Sequence, residues 1–180
     1  MILDTDVQLI DITSDMIQYV NRIKTKLGIE RTKESEIDTE VGLMGELVFA
    51  KWWYGDYMKG NTLQDLKNNF GHADFDGKFE IKASCHKWSE KLHLPVREDY
   101  ANKRTPQYYV QVLFDTDKAA ITTETRALII GWIHGEQAKN GELRAMGKIT
   151  SFKCYLTPFT ELSPMSDLRE IEGVFESYDW

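Results

Sequence analysis

A chain of 180 residues, 42% hydrophobic and 12% aromatic, can bury a continuous core and is read as one domain over 1–180. Its 22 Lys and Arg stand against 29 Asp and Glu, a net charge of -7, which excludes a protein that grips nucleic acid by bulk electrostatics and leaves only local or metal-mediated contacts. Cys85 and Cys154 lie far apart without metal-ligand spacing, which argues against a disulfide framework or a zinc site and for buried free thiols.

Met1-Ile2-Leu3-Asp4 turns acidic at once, with no basic region ahead of an apolar stretch, and no apolar run approaches the ~20 residues that span a bilayer. A soluble, cytoplasmic protein with no membrane contact is expected. Ser14-Asp15 starts an amphipathic helix in which Ile17, Val20, Ile23 and Leu27 recur at helical spacing until Gly28 stops it. The stretch Glu30 to Glu40 is almost wholly polar, and Asp38 or Thr39 then caps a second helix from about Glu40 to Tyr54, closed by Gly55. From Phe70 to Ser84 the period changes to two, with Asp76-Gly77 as a turn, so a hairpin is expected.

Leu92, Leu94 and Val96 read as a half-buried strand, and Tyr108 to Phe114 and Ala127 to Ile133 as interior strands. Ile149 to Leu156 adds a strand, and Ser166 caps a last helix carrying Leu168, Ile171 and Val174, weakened by Gly173. The order predicts an α/β (α+β) fold with a central mixed β-sheet flanked by helices. Basic residues gather between Lys78 and Arg104, while the acidic excess lies towards the two ends. The oligomeric state is left open, a homodimer included.

The segment Asp74-Phe75-Asp76-Gly77-Lys78-Phe79-Glu80-Ile81-Lys82 carries the chemistry. Strand alternation sets Glu80 and Lys82 on one face and turns Phe79 and Ile81 into the core. A two-residue loop at Asp76-Gly77 would put Asp74 on the apolar face, where an unpaired carboxylate is costly. A three-residue loop is therefore expected, which brings Asp74 to the face of Glu80 and Lys82. Oxygen ligands alone, namely Asp74, Glu80 and the carbonyl of Ile81, favour Mg²⁺, with Mn²⁺ as a substitute, over zinc. Lys82 beside them can orient or deprotonate a water and stabilise charge on a phosphate. Glu46 lies mid-helix among Gly42, Phe49, Ala50 and Trp53, on a face expected to pack against that strand.

A Gly42-x-x-Gly45-Glu46 helix, then a hairpin bearing Asp74 and Glu80-x-Lys82, then further strands, resembles the PD-(D/E)XK nuclease superfamily over roughly residues 41–133, especially its small phage-type members. The resemblance implies a restriction-endonuclease-like core and Mg²⁺-dependent phosphodiester cleavage. It assigns metal binding to Asp74 and Glu80, catalysis to Lys82 and a supporting carboxylate to Glu46. The sequence departs from the pattern in a short Asp74-to-Glu80 interval, in the lack of a proline before Asp74, and in Asp76 as a rival aspartate.

DNA is the expected partner, met by Ser84, Lys87, Lys91, Lys103 and Arg104, with Trp88 as a stacking ring. His72, His86, His93 and His134 form no metal or nucleophile motif, though His72 and His86 flank the site. Trp52, Trp53 and Trp132 are assigned to the core. The expected activity is a DNA endonuclease; the alternatives are an RNA-directed nuclease of the same fold and a catalytically inactive nucleic-acid-binding or assembly protein.

Overall fold

Tyr108–Phe114 and Ala127–His134 are apolar at nearly every position because both of their faces are covered. The computed structural model describes residues 7–26, 33–59, 74–117, 120–147 and 152–172. Its strands are β1 (Gln8–Ile10), β2 (Phe79–Cys85), β3 (His93–Arg97), β4 (Tyr108–Phe114), β5 (Ala127–His134), β6 (Glu142–Met146) and β7 (Phe152–Pro158). Its helices are α1 (Ser14–Lys26), α2 (Lys33–Tyr54), α3 (Glu98–Lys103), α4 (Gly135–Ala138) and α5 (Met165–Glu172).

The fold is mixed α/β with two sheets, where one central sheet was expected. The larger sheet has the order β1-β5-β4-β2, with β2 and β4 parallel and the other pairs antiparallel. The smaller is antiparallel in the order β3-β7-β6. Along β4 the side chains alternate between two cores. Tyr108, Val110, Val112 and Phe114 join Met16, Leu47, Phe49 and Leu168 in one, so α1, α2 and α5 form a helical layer on that face. Tyr109 and Leu113 join Leu94, Val96 and Ala101 in the other, so the smaller sheet and α3 cover the opposite face. A register shift after Gln111 leaves Ile130 as the extra residue of β5 in that ladder.

Several boundaries differ from the sequence reading. The second helix begins at Lys33 rather than near Glu40, so Asp38 and Thr39 lie inside it and neither caps it. Lys, Glu and Ser do not interrupt a helix, and polarity there carries no stop signal. Gly55, with φ 75°, ends the helix in the left-handed conformation expected of a terminating glycine. The last helix starts at Met165, directly after Pro164, which places Ser166 in its first turn rather than at its cap. β7 starts at Phe152; Ile149 lies outside the described residues, as do Leu27, Gly28, Phe70, His72, Gly173 and Val174. β1, α3, α4 and β6 carry no clear sequence pattern, and β6 is exposed at every position. Trp53 and Trp132 are buried as assigned, whereas Trp52 is half-buried beside Arg169. Cys154 is a buried free thiol and Cys85 a half-buried one. Among the described residues no helix is long and apolar enough to cross a membrane.

Candidate active site

Phe75 and Phe79 exchange backbone hydrogen bonds of 3.1 and 3.0 Å, which leaves Asp76, Gly77 and Lys78 as a three-residue turn. Asp76 (φ 52°) and Gly77 (φ 66°) supply the left-handed conformations this turn requires. Continuing that pairing sets Asp74 across from Glu80 and keeps Phe75 and Phe79 in the core. The rival Asp76 is engaged elsewhere: its Oδ2 accepts the Tyr54 hydroxyl at 2.8 Å. Burial and that bond to a carboxylate push the Tyr54 hydroxyl well above the ordinary phenol range.

β2 closes one margin of the four-stranded sheet, so the peptide groups on its outer side meet no further long strand among the described residues. Ile81 uses that freedom: its N–H donates to Asp74 Oδ2 at 2.7 Å. In a strand the N–H and C=O of one residue point to the same side, so the Ile81 carbonyl faces the same outer edge.

The α2 backbone lies so close to β2 that a Cβ on Gly45 would stand 2.5 Å from the Cβ of Ala83. Gly42 is different, for a Cβ there would meet nothing within 4 Å. Close approach thus explains the second glycine and not the first. Glu46 follows Gly45, and its carboxyl group hydrogen-bonds that of Asp74.

The site therefore straddles a sheet edge. Glu46 comes from the helical layer, Asp74 and the Ile81 peptide lie at the edge, and Glu80 and Lys82 project from the face towards the smaller sheet. Burial pushes the Asp74 carboxyl up to about 6. The Ile81 N–H opposes that rise, the Glu80 charge adds to it, and Lys82 and the Glu46 bond pull it down. Glu80 holds two cations, Lys82 Nζ at 2.9 Å and Arg104 Nη2 at 3.5 Å. Lys82 Nζ also lies 5.8 Å from the ring centre of Tyr109, whose hydroxyl is pushed up first by burial and then by Glu80.

These donors suit a hard cation. Asp74, Glu80 and the Ile81 carbonyl offer oxygen only, and a raised carboxyl beside a second acid gains from a positive ion. Among the described residues no three His, Cys, Asp or Glu side chains are already gathered as a ligand set, and Glu80 is paired with Lys82 and Arg104.

The remaining candidates separate. β2 and β4 are in register from Phe79↔Tyr108 to Cys85↔Phe114, so Arg104, just before β4, belongs to the Glu80 end of β2. Lys87 and Lys91 follow Cys85 at the other end, about 20 Å away at ~3.3 Å per residue. Lys103 is exposed at the end of α3, next to Arg104. The Ser84 hydroxyl receives Gln111 Nε2 at 3.1 Å, and the Oε1 of Gln111, which is fully buried, has no partner among the described residues. Trp88 packs against Phe159 at 6.2 Å in the second core, so it is not a free stacking ring. His86 is exposed at the far end of β2, His93 opens β3, and His134 packs against the rings of Tyr108 and Trp132 at 5.3 and 5.0 Å. Tyr109 and Gln111 join the site through strand pairing, a non-local fact with no local signal. No family model matches the chain, and no curated protein or solved structure matches it.

Proposed function

We propose that the chain is a metal-dependent nuclease of the PD-(D/E)XK type that hydrolyses DNA phosphodiester bonds with Mg²⁺, or Mn²⁺ in its place. The observation that carries this reading is the placing of Asp74 opposite Glu80, with the Ile81 peptide and the Glu46 carboxyl both directed at Asp74. A four-stranded mixed sheet backed by a helical layer agrees with the restriction-endonuclease-like core that the motif implies.

In this reading Asp74, Glu80 and the Ile81 carbonyl would hold the ion, which would supply positive charge at the phosphate and acidity to a water there. Glu46, whose carboxyl group meets that of Asp74, would support the metal or its waters from the helix. Lys82 holds the attacking water and a phosphate oxygen with a compact ammonium group, and Arg104 neutralises a second oxygen. Supercoiled, linear, branched and single-stranded DNA, with matched RNA, are incubated with Mg²⁺ or Mn²⁺ and with EDTA. Cleavage that needs the metal and is lost in Asp74→Ala and Glu80→Ala is expected; cleavage surviving in both would overturn the reading. Preference for the matched RNA would reassign the substrate.

The two cations on Glu80 favour a second reading, a nuclease-derived nucleic-acid-binding or assembly protein in which ion pairs have replaced the metal. A Mn²⁺ titration separates the two, since saturable binding lost in Glu80→Ala belongs only to the first.

A further inference from the structure

The chain leaves the four-stranded sheet at Cys85 and must travel back along it before β4 can start beside Phe79. β3 and α3 make that return and bring their side chains to the Glu80 end. Three of those side chains and one from β7 form a stack. The Arg97 guanidinium lies 4.6 Å from the ring centre of Tyr100 and 4.6 Å from that of Phe152. Asp99 clamps it through bonds of 3.0 and 2.7 Å, which fix its plane and offset its charge. Tyr100 is 58% exposed although it is a large aromatic side chain, so a ring supported by a fixed guanidinium is left open to solvent.

Two separate connections tie this ring to the site. Arg104 N–H donates to the Tyr100 carbonyl at 3.0 Å, one helical turn along, and the Arg104 side chain reaches Glu80. Cys154 is the register partner of Arg97 in the smaller sheet. Burial pushes its thiol up, and the Arg97 and Lys82 charges both pull it down.

We propose that Tyr100, backed by Arg97, is the stacking platform for an unpaired nucleobase beside the phosphate held at Glu80 and Lys82. The substrate class is then single-stranded DNA, free or as the tail of a duplex. Bases inside a duplex have both faces covered by their neighbours, whereas an unpaired base offers a free face to an aromatic ring. A neutralised Arg97 adds a flat surface rather than net charge, which fits a chain whose overall charge repels polyanions. The location of the phosphate rests on the nuclease reading; the platform itself does not.

The test is fluorescence anisotropy in Ca²⁺, with a labelled single strand, a tailed duplex and a blunt duplex of the same sequence. The full chain is compared with Tyr100→Ala and Tyr100→Trp, each checked for an unchanged thermal midpoint. The single strand and the tail are expected to bind roughly tenfold or more tighter than the blunt duplex. That preference should vanish in Tyr100→Ala, survive in Tyr100→Trp, and vanish again when the tail carries abasic sites at equal charge. Equal binding of blunt and tailed DNA by the wild type, no binding of any DNA, or a preference unchanged in Tyr100→Ala would each overturn the platform. Cleavage in Mg²⁺ is scored separately on the same tailed duplex. Cleavage without the preference sinks the platform alone, and the preference without cleavage sinks the nuclease reading alone.

Discussion

Asp74 holds its proton more tightly than an ordinary aspartate because burial and the neighbouring Glu80 charge outweigh the Ile81 N–H, Lys82 and Glu46. The raised value has a definite sign in stability. Between about pH 4 and 6 the folded chain binds more protons than the unfolded one, so stability falls as pH rises through that window and the ionised group costs stability above it. Each pH unit of the rise corresponds to ~1.4 kcal/mol. Asp74→Asn keeps an acceptor for Ile81 N–H and removes the charge, so its thermal midpoint should exceed that of the wild type at pH 7.5 and match it at pH 4. Equal differences at both pH values would refute the assignment of the raised carboxyl to Asp74. Mg²⁺ or Ca²⁺ at pH 7.5 should raise the midpoint of the wild type and of Asp76→Asn, and leave that of Asp74→Asn unmoved. A metal response lost in Asp76→Asn instead would hand the ligand role to Asp76.

Lys82 is tested by chemistry rather than by stability. Lys82→Ala is expected to abolish cleavage while metal affinity and fold persist, and Lys82→Arg to fail as well, because a wide planar fork does not replace a compact, deprotonatable ammonium. Turnover retained in both variants would remove the lysine from the mechanism. Asp74, Glu80 and Lys82 were legible in the sequence because one turn length and a period of two decide which of them share a face. Arg97 and Tyr100 were not, since only the path of the chain between two parallel strands brings them near the site.

At the scale of elements, α2 and β2 meet at one glycine, and the two glycines of the helix should respond in opposite directions. Gly42 has open space where a Cβ would go, so Gly42→Ala should stabilise by ~0.5–1 kcal/mol through helix propensity alone. Gly45→Ala gains the same propensity but drives a methyl group against Ala83 Cβ, which has no flexible end to move aside. A net loss of ~1–3 kcal/mol is expected, together with weaker metal binding, because the shift that relieves the clash carries Glu46 away from Asp74. Urea midpoints for the two variants check this, and a stabilised Gly45→Ala would show that the contact yields easily. Spacing in the sequence gives the face of a helix on which a glycine lies but not its distance from a sheet, so it does not tell Gly42 from Gly45. The interior strands were readable because burial on both faces leaves an apolar run. β6 was not, because a wholly exposed edge strand buries no face and so shows no alternation. The start of α2 was missed for a related reason, since an apolar stripe reports packing while helix continues through polar residues without one.

Over the whole molecule, a net charge of -7 sets how such a site could hold a polyanion. A basic groove of Lys82, Lys87, Lys91, Lys103 and Arg104 was expected, yet the length of β2 puts Lys87 and Lys91 at the opposite end from Arg104. Of these five, Lys82 and Arg104 stand at the carboxylates, and both are paired with Glu80. Long-range repulsion and few phosphate contacts together predict weak binding in EDTA and tighter binding in Ca²⁺, which neutralises the acids without cleaving. They also predict a shallow salt dependence. Counterion release of ~0.7 per contact on a single strand gives a slope of about -1.4 for the logarithm of affinity against that of salt concentration. Reversing Lys103 and Arg104 to Glu should weaken binding and flatten that slope, whereas reversing Lys87 and Lys91 should change neither. Anisotropy titrations between ~50 and 200 mM salt measure both quantities. Equal affinity in Ca²⁺ and EDTA, or a slope steeper than about -4 that depends on Lys87 and Lys91, would mean that DNA lies along the whole strand and not at its Glu80 end.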